Sequence, residues 1–153
     1  MLFRSVIAVA VISGIALGAE DGFIVGAMTM LVSNAFFAQG PWTPWEMFAA
    51  GLTGFLAGLL FSKDGLKRNR TAISLYGILA CLVIYGGIMN PASAYMWDYA
   101  GGEVNLLAYY LSGLPVDLVH AAATALFLWF GAEPLMEKIR RAALRFGLRQ
   151  TAG

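Results

Sequence analysis

The chain has 153 residues, of which 59% are hydrophobic and only 12% charged, where soluble domains run at about 45–50% and about 25%. With a mean hydropathy of +0.72, a chain of one domain's size carries more apolar surface than a small globule can bury, which excludes a water-soluble fold. A net charge of +1 likewise excludes the basic field that nucleic acid requires.

Charge, Gly and Pro divide the chain into five apolar segments, at 3–19, 23–38, 45–62, 71–90 and 114–132. None alternates with period two as a barrel strand would, so the predicted fold is an all-α membrane bundle of five transmembrane helices in one domain, 1–153. The first segment follows Arg4 as a signal peptide would, but it lacks a clear processing point. Glu20-Asp21-Gly22 leads straight into another apolar run, so it reads as a mature span. Gly14, Gly18, Gly22 and Gly26 recur every four residues, and Ala50, Gly54 and Gly58 repeat the pattern in the third segment. That spacing lets helix backbones approach closely, either within the bundle or against another membrane subunit.

Between the second and third segments lies Asn34 to Met47. Thr43, Pro44 and Glu46 are spaced as a helix start, with a Thr cap, a first-turn Pro and a Glu three residues after the cap. Trp42 and Trp45 fit an interfacial aromatic belt, and Asn34 and Gln39 add two amides rich in donors and acceptors. Lys63, Lys67, Arg68 and Arg70 follow the third segment, and Lys138, Arg140, Arg141, Arg145 and Arg149 close the chain in a basic tail, 133–153. Nine of the ten basic residues thus mark two cytoplasmic regions. Counting back places 39–44, 91–113 and the N-terminus outside. The single Cys81 lies in an apolar run, as a small packed hydrophobe does.

The stretch 91–113 is long for a loop in a compact bundle and carries Tyr95, Trp97 and Tyr110 just after Asn90, with 103–111 able to form a short interfacial helix. The last segment opens with Ser112 or Gly113 as cap and Pro115 in the first turn. Asp117 and His120, three apart, share one face. Ionisable residues at that depth are functional candidates by default, whereas two ligands do not make a metal site. No phosphate-cradling loop, no nucleophile triad and no chain of buried carboxylates is present, so the sequence carries no energy source of its own. Three functions fit these features: solute binding, a small intramembrane enzyme using Asp117 and His120, and a structural assembly subunit.

Val32 to Phe48, Gly54-Phe55-Leu56-Ala57-Gly58 and Leu111 to Ala121 resemble the substrate-binding S components of energy-coupling factor (ECF) vitamin transporters. The run Gly40-Pro41-Trp42-Thr43-Pro44-Trp45 is similar to that of a cobalamin-type subgroup. The resemblance implies a six-helix bundle in the cell membrane with cytoplasmic termini, of which the first segment here resembles the second helix. It implies a vitamin held by outer loops and helix ends, no cofactor, and uptake powered by a scaffold (T) component with two ATPase subunits. Carried over by position, the substrate-binding group is Asn34, Gln39, Trp42, Trp45, Asn90, Tyr95, Trp97, Tyr110, Asp117 and His120.

Overall fold

In hydrocarbon every backbone N–H and C=O must be satisfied within its own segment, so long apolar runs become helices. A computed structural model describes residues 3–37, 39–61, 69–99 and 105–147, with side chains for all of these except 3–5 and 97–99. Over those residues the fold is all-helical: α1 (Phe3–Leu17), α2 (Ala19–Phe37), α3 (Thr43–Leu60), α4 (Arg70–Leu79), α5 (Gly86–Tyr99) and α6 (Leu106–Arg145). A π-helical segment, Ala80–Tyr85, joins α4 to α5 without a break. Five rods therefore answer to the five apolar runs. Two stretches, Arg70–Met96 and Leu106–Arg145, are each long and apolar enough to cross a membrane.

Helix α1 is the axis of the bundle. Val6, Ile7, Ala8, Ala10, Ser13 and Ala16 are all buried, which covers every face of the helix, and α2, α3 and α6 pack around it. Its contact with α2 and α3 is backbone on backbone. A Cβ on Gly22 would come within 2.5 Å of Gly14 Cα and 2.6 Å of Gly54 O, and one on Gly26 within 2.5 Å of Ala50 O. The four-residue glycine spacing is thus spent inside this chain, the first of the two uses that spacing allows. Gly18, at φ +129°, turns α1 into α2 in a conformation that side chains avoid.

The outward faces carry the large apolar residues. On α2, Ile24, Met28, Val32 and Phe36 lie four apart and are 58%, 49%, 52% and 82% exposed. Small residues at the α1–α2–α3 seam and large ones on the outer face of α2 suit a lipid surround, where packing rather than water exclusion holds helices together. The interior is completed by Phe61, Ile73 and Leu128, with Phe61 edge-on to Tyr76 at 5.8 Å. Polar groups within it are bonded across helices. Tyr76 OH donates to Thr53 O (2.6 Å), Ser74 Oγ to Ala125 O (3.3 Å) and Cys81 Sγ to Thr124 Oγ1 (3.4 Å).

Three sequence expectations are corrected by this architecture. The long outer loop at 91–113 is absent: α5 continues through Pro91 to Tyr99, and α6 starts at Leu106, capped by Asn105, whose side chain accepts from Ala108 N at 3.1 Å. Residues 106–111 are helical as the opening turns of that long helix rather than as a separate interfacial one. Ser112 and Gly113 therefore lie within α6, Pro115 is inside it, and Asp117 sits several turns beyond the helix start. At its other end α6 runs on to Arg145, so most of the basic tail is a continuation of the last span. An Arg70–Glu133 ion pair at 2.5 Å ties α4 to α6 near this basic end. The remaining basic positions of the first block, 63, 67 and 68, lie outside the described residues.

The glycine contact has a measurable consequence. Gly54→Ala forces a methyl group against the Gly22 carbonyl and the Ala10 carbonyl, neither of which can swing aside. Overpacking of this kind costs about 1–3 kcal/mol, so its melting temperature in detergent should fall well below that of Gly87→Ala, where a Cβ meets nothing within 4 Å.

Candidate ligand-binding site

At the end of the bundle opposite Arg70 and Glu133, the C-terminus of α2, the N-terminus of α3, α5 and the first turns of α6 converge. The local cause is the short connection from Phe37 to Thr43. Gly40 N donates to Thr43 Oγ1 at 3.3 Å and Thr43 N to Gly40 O at 3.0 Å, which folds the Pro41-Trp42 corner tightly onto the start of α3. The capping box expected there does not form. Trp42 takes the cap position in helical backbone geometry without a side-chain bond, and the Thr43 hydroxyl turns toward α2 instead.

Asn34 receives it. This amide is 1% exposed, and its Nδ2 donates to Thr43 Oγ1 at 3.2 Å and to Glu46 Oε2 at 2.5 Å. The second carboxylate oxygen, Oε1, accepts from Tyr85 OH at 3.3 Å. Tyr85 closes the π-helical segment, whose wider turn sets the phase of the residues that follow. Asn34, Thr43, Glu46 and Tyr85 thus form one polar network across three rods. A second bracket joins α5 to α6, where Asn90 Nδ2 donates to Asp117 Oδ2 at 3.2 Å. Glycines make room for it: a Cβ on Gly86 would lie 2.9 Å from Asp117 Oδ2 and one on Gly113 2.6 Å from Asn90 Oδ1.

Two adjoining cavities open beside these networks and share Pro41 and Met96. One, of about 780 Å³, is lined by Trp45, Phe48, Ile88 and Tyr95. The other, of about 550 Å³, is lined by Trp42, Glu46, Met89, Ser93 and Tyr109. Both are largely apolar, with a few convergent polar groups, as small-molecule sites are.

Of the residues singled out in the sequence, Trp42, Trp45 and Tyr95 line the cavities, while Asn34 lines neither and acts on the wall through Glu46. Asn90 and Asp117 are paired with each other, and Gln39 is exposed in the connection. His120 lies one turn further along α6 than Asp117, half-buried, and Tyr110 faces away while its neighbour Tyr109 faces in. The Trp97 side chain lies outside the described residues. Sequence reasoning missed Glu46 as a wall residue, along with Tyr85 and Tyr109. Helical phase counted from Asn105 would have selected Tyr109 over Tyr110, but the phase depends on a cap that the sequence reading placed seven residues later. The polar group that meets Asp117 is the Asn90 amide. Among the described residues no cluster of His, Cys, Asp and Glu could hold a metal ion.

Because Asn34 is committed to Thr43 and Glu46, its removal should appear first as instability. Asn34→Ala strips a half-buried carboxylate of its shortest bond and should cost about 1–3 kcal/mol, read as a lower melting temperature without ligand. Thr43→Ala, which leaves the Asn34–Glu46 bond standing, should cost less.

No curated protein and no solved structure matches the chain. A family model does: that of the ECF-type riboflavin transporter, S component, which covers residues 3–129. The match supports the S-component reading and not the cobalamin-type subgroup that the Gly40 to Trp45 run resembles. It spans all of α1 to α5 and most of α6, including every residue of both cavities. The family is one of transporters and not of enzymes, and with its apolar helices the chain is embedded in a membrane: it belongs to the ECF-type riboflavin transporter S-component family.

Proposed function

We propose that the chain is the vitamin-binding membrane subunit of an ECF importer and that its ligand is riboflavin. The observation that carries the reading is the paired cavity at one end of the bundle, walled by Trp42, Trp45, Tyr95 and Tyr109 and provided with a carboxylate. A flavin is a flat tricyclic ring with a polar pyrimidine edge and a polyhydroxylated chain, so it asks for aromatic faces and few, placed hydrogen-bonding groups. A site of about 780 Å³ with a 550 Å³ annex lies within the range of small-molecule sites, about 300–1,000 Å³ each. A corrin ring with its nucleotide tail is a far bulkier cargo. The family's name supports the same ligand.

Transport needs an energy source that this sequence lacks, which supports assembly with a T component and two ATPase subunits. The positive-inside bias supports an orientation: the basic end of α6 and the segment before Arg70 face the cytoplasm, and both cavities face outward. Labelling single cysteines in a Cys81→Ser background tests it. Asn69→Cys should be protected from a membrane-impermeant reagent added outside, and Gln39→Cys should react.

Ligand binding is tested on purified protein without ATP, by quenching of flavin fluorescence. Riboflavin should bind saturably, and Trp45→Ala should weaken it roughly 2- to 12-fold, the scale of one lost aromatic contact of about 0.5–1.5 kcal/mol. Saturable binding of cobalamin, with none of riboflavin, would return the ligand to the subgroup suggested by the Gly40 to Trp45 run.

A further inference from the structure

Among the described residues, Glu46 is a carboxylate without a counter-charge. Its two contacts, from Asn34 Nδ2 and Tyr85 OH, are both neutral donors, one to each oxygen. The ion pairs among the described residues are Arg70–Glu133, toward the opposite end of the bundle, and Arg141–Glu137, on the last turns of α6. An ionised carboxylate offers about four acceptor positions, and two neutral bonds leave the others aimed at whatever fills the 550 Å³ cavity that Glu46 lines. Removing a charge from water without pairing it is costly, so an occupant that displaces water from this wall has to supply hydrogen-bond donors in return. Met89, Met96 and Pro41 carry no side-chain donor, and although Ser93, Trp42 and Tyr109 carry one each, the side chains that bond Glu46 among the described residues are Asn34 and Tyr85.

The geometry points to Glu46 as the residue that sets ligand specificity: it accepts the N–H of a heterocyclic imide or amine edge, while the ring lies against Trp42 and Tyr109. Asn34 and Tyr85 are positioning residues that hold the carboxylate in place. This rests on the flavin reading above and makes it sharper. The flavin ring system has a single N–H in its oxidised form, the imide at position 3 of the pyrimidine edge, and that edge is the one that meets Glu46. Ligands that present only carbonyl oxygens or a methyl group there are rejected, because they leave the carboxylate both dry and unbonded.

The test compares riboflavin with N3-methylriboflavin on the purified full chain, again by fluorescence quenching. Wild-type protein should prefer riboflavin by roughly 10–100-fold, the scale of a hydrogen bond to a charged group. In Glu46→Ala the preference should vanish, mainly through weaker riboflavin binding, with folding checked by thermal melting because Glu46 also bonds Asn34 and Tyr85. The wild-type comparison needs no variant and decides the matter if Glu46→Ala does not fold. Equal binding of both flavins by the wild type, or an intact preference in folded Glu46→Ala, overturns the assignment of Glu46 and leaves the flavin reading standing. No binding of either flavin by folded wild-type protein overturns both.

Discussion

Backbone contact among Gly14, Gly22 and Gly54 is the constraint on which the rest of this structure depends. With no water to drive helices together, α1, α2 and α3 are held by how closely their main chains can approach, and only hydrogen in place of a side chain allows that approach. Once α2 and α3 are clamped at that depth, the register at their other ends is no longer free. Asn34 falls opposite Thr43 and Glu46, and the polar network closes without adjustment. The glycines sit at one level of the bundle and the ligand walls at another, yet the first determine the second.

The two polar clusters follow from the same physics applied to side chains. A carboxylate or amide in a low-dielectric interior has to be bonded, and the bond it makes fixes the helices that supply both partners. Asn34, Thr43, Glu46 and Tyr85 tie α2, α3 and the π-helical segment, while Asn90 and Asp117 tie α5 to α6. Between these two ties lie the cavities. Their aromatic walls are carried by helices locked on one side by the carboxylate and on the other by the bracket, so the site is shaped before any ligand enters.

Much of this was legible in the sequence, and the failures share a cause. Five apolar runs gave five rods because length and hydropathy report directly on burial of backbone in lipid. Their ends were misjudged where soluble-protein punctuation was applied. Pro91 and Pro115 read as loop and helix start but lie inside helices, since neighbouring helices in a bundle can satisfy the backbone groups that proline frees. Thr43, Pro44 and Glu46 matched a capping box by spacing, but tertiary partners outbid the local one: Asn34 and Tyr85 took the groups that the motif would have used on itself. Trp42, Trp45 and Tyr95 reach the cavity walls because large aromatics at a helix end have few places to go. Tyr85 was missed because nothing local distinguishes it, and the π-helical turn that aims it leaves no mark in composition.

The 40 residues of α6 make a rod of about 60 Å at 1.5 Å per residue, roughly twice the hydrocarbon thickness. Tyr109, on a cavity wall, and Arg145, at the basic end, therefore belong to one mechanical piece. A tilt of about 10° about its midpoint, small against the spread seen among membrane helices, carries each end by roughly 5 Å. Whatever grips the basic end is thereby coupled to the wall of the cavity by leverage alone, with no chain of side-chain rearrangements in between.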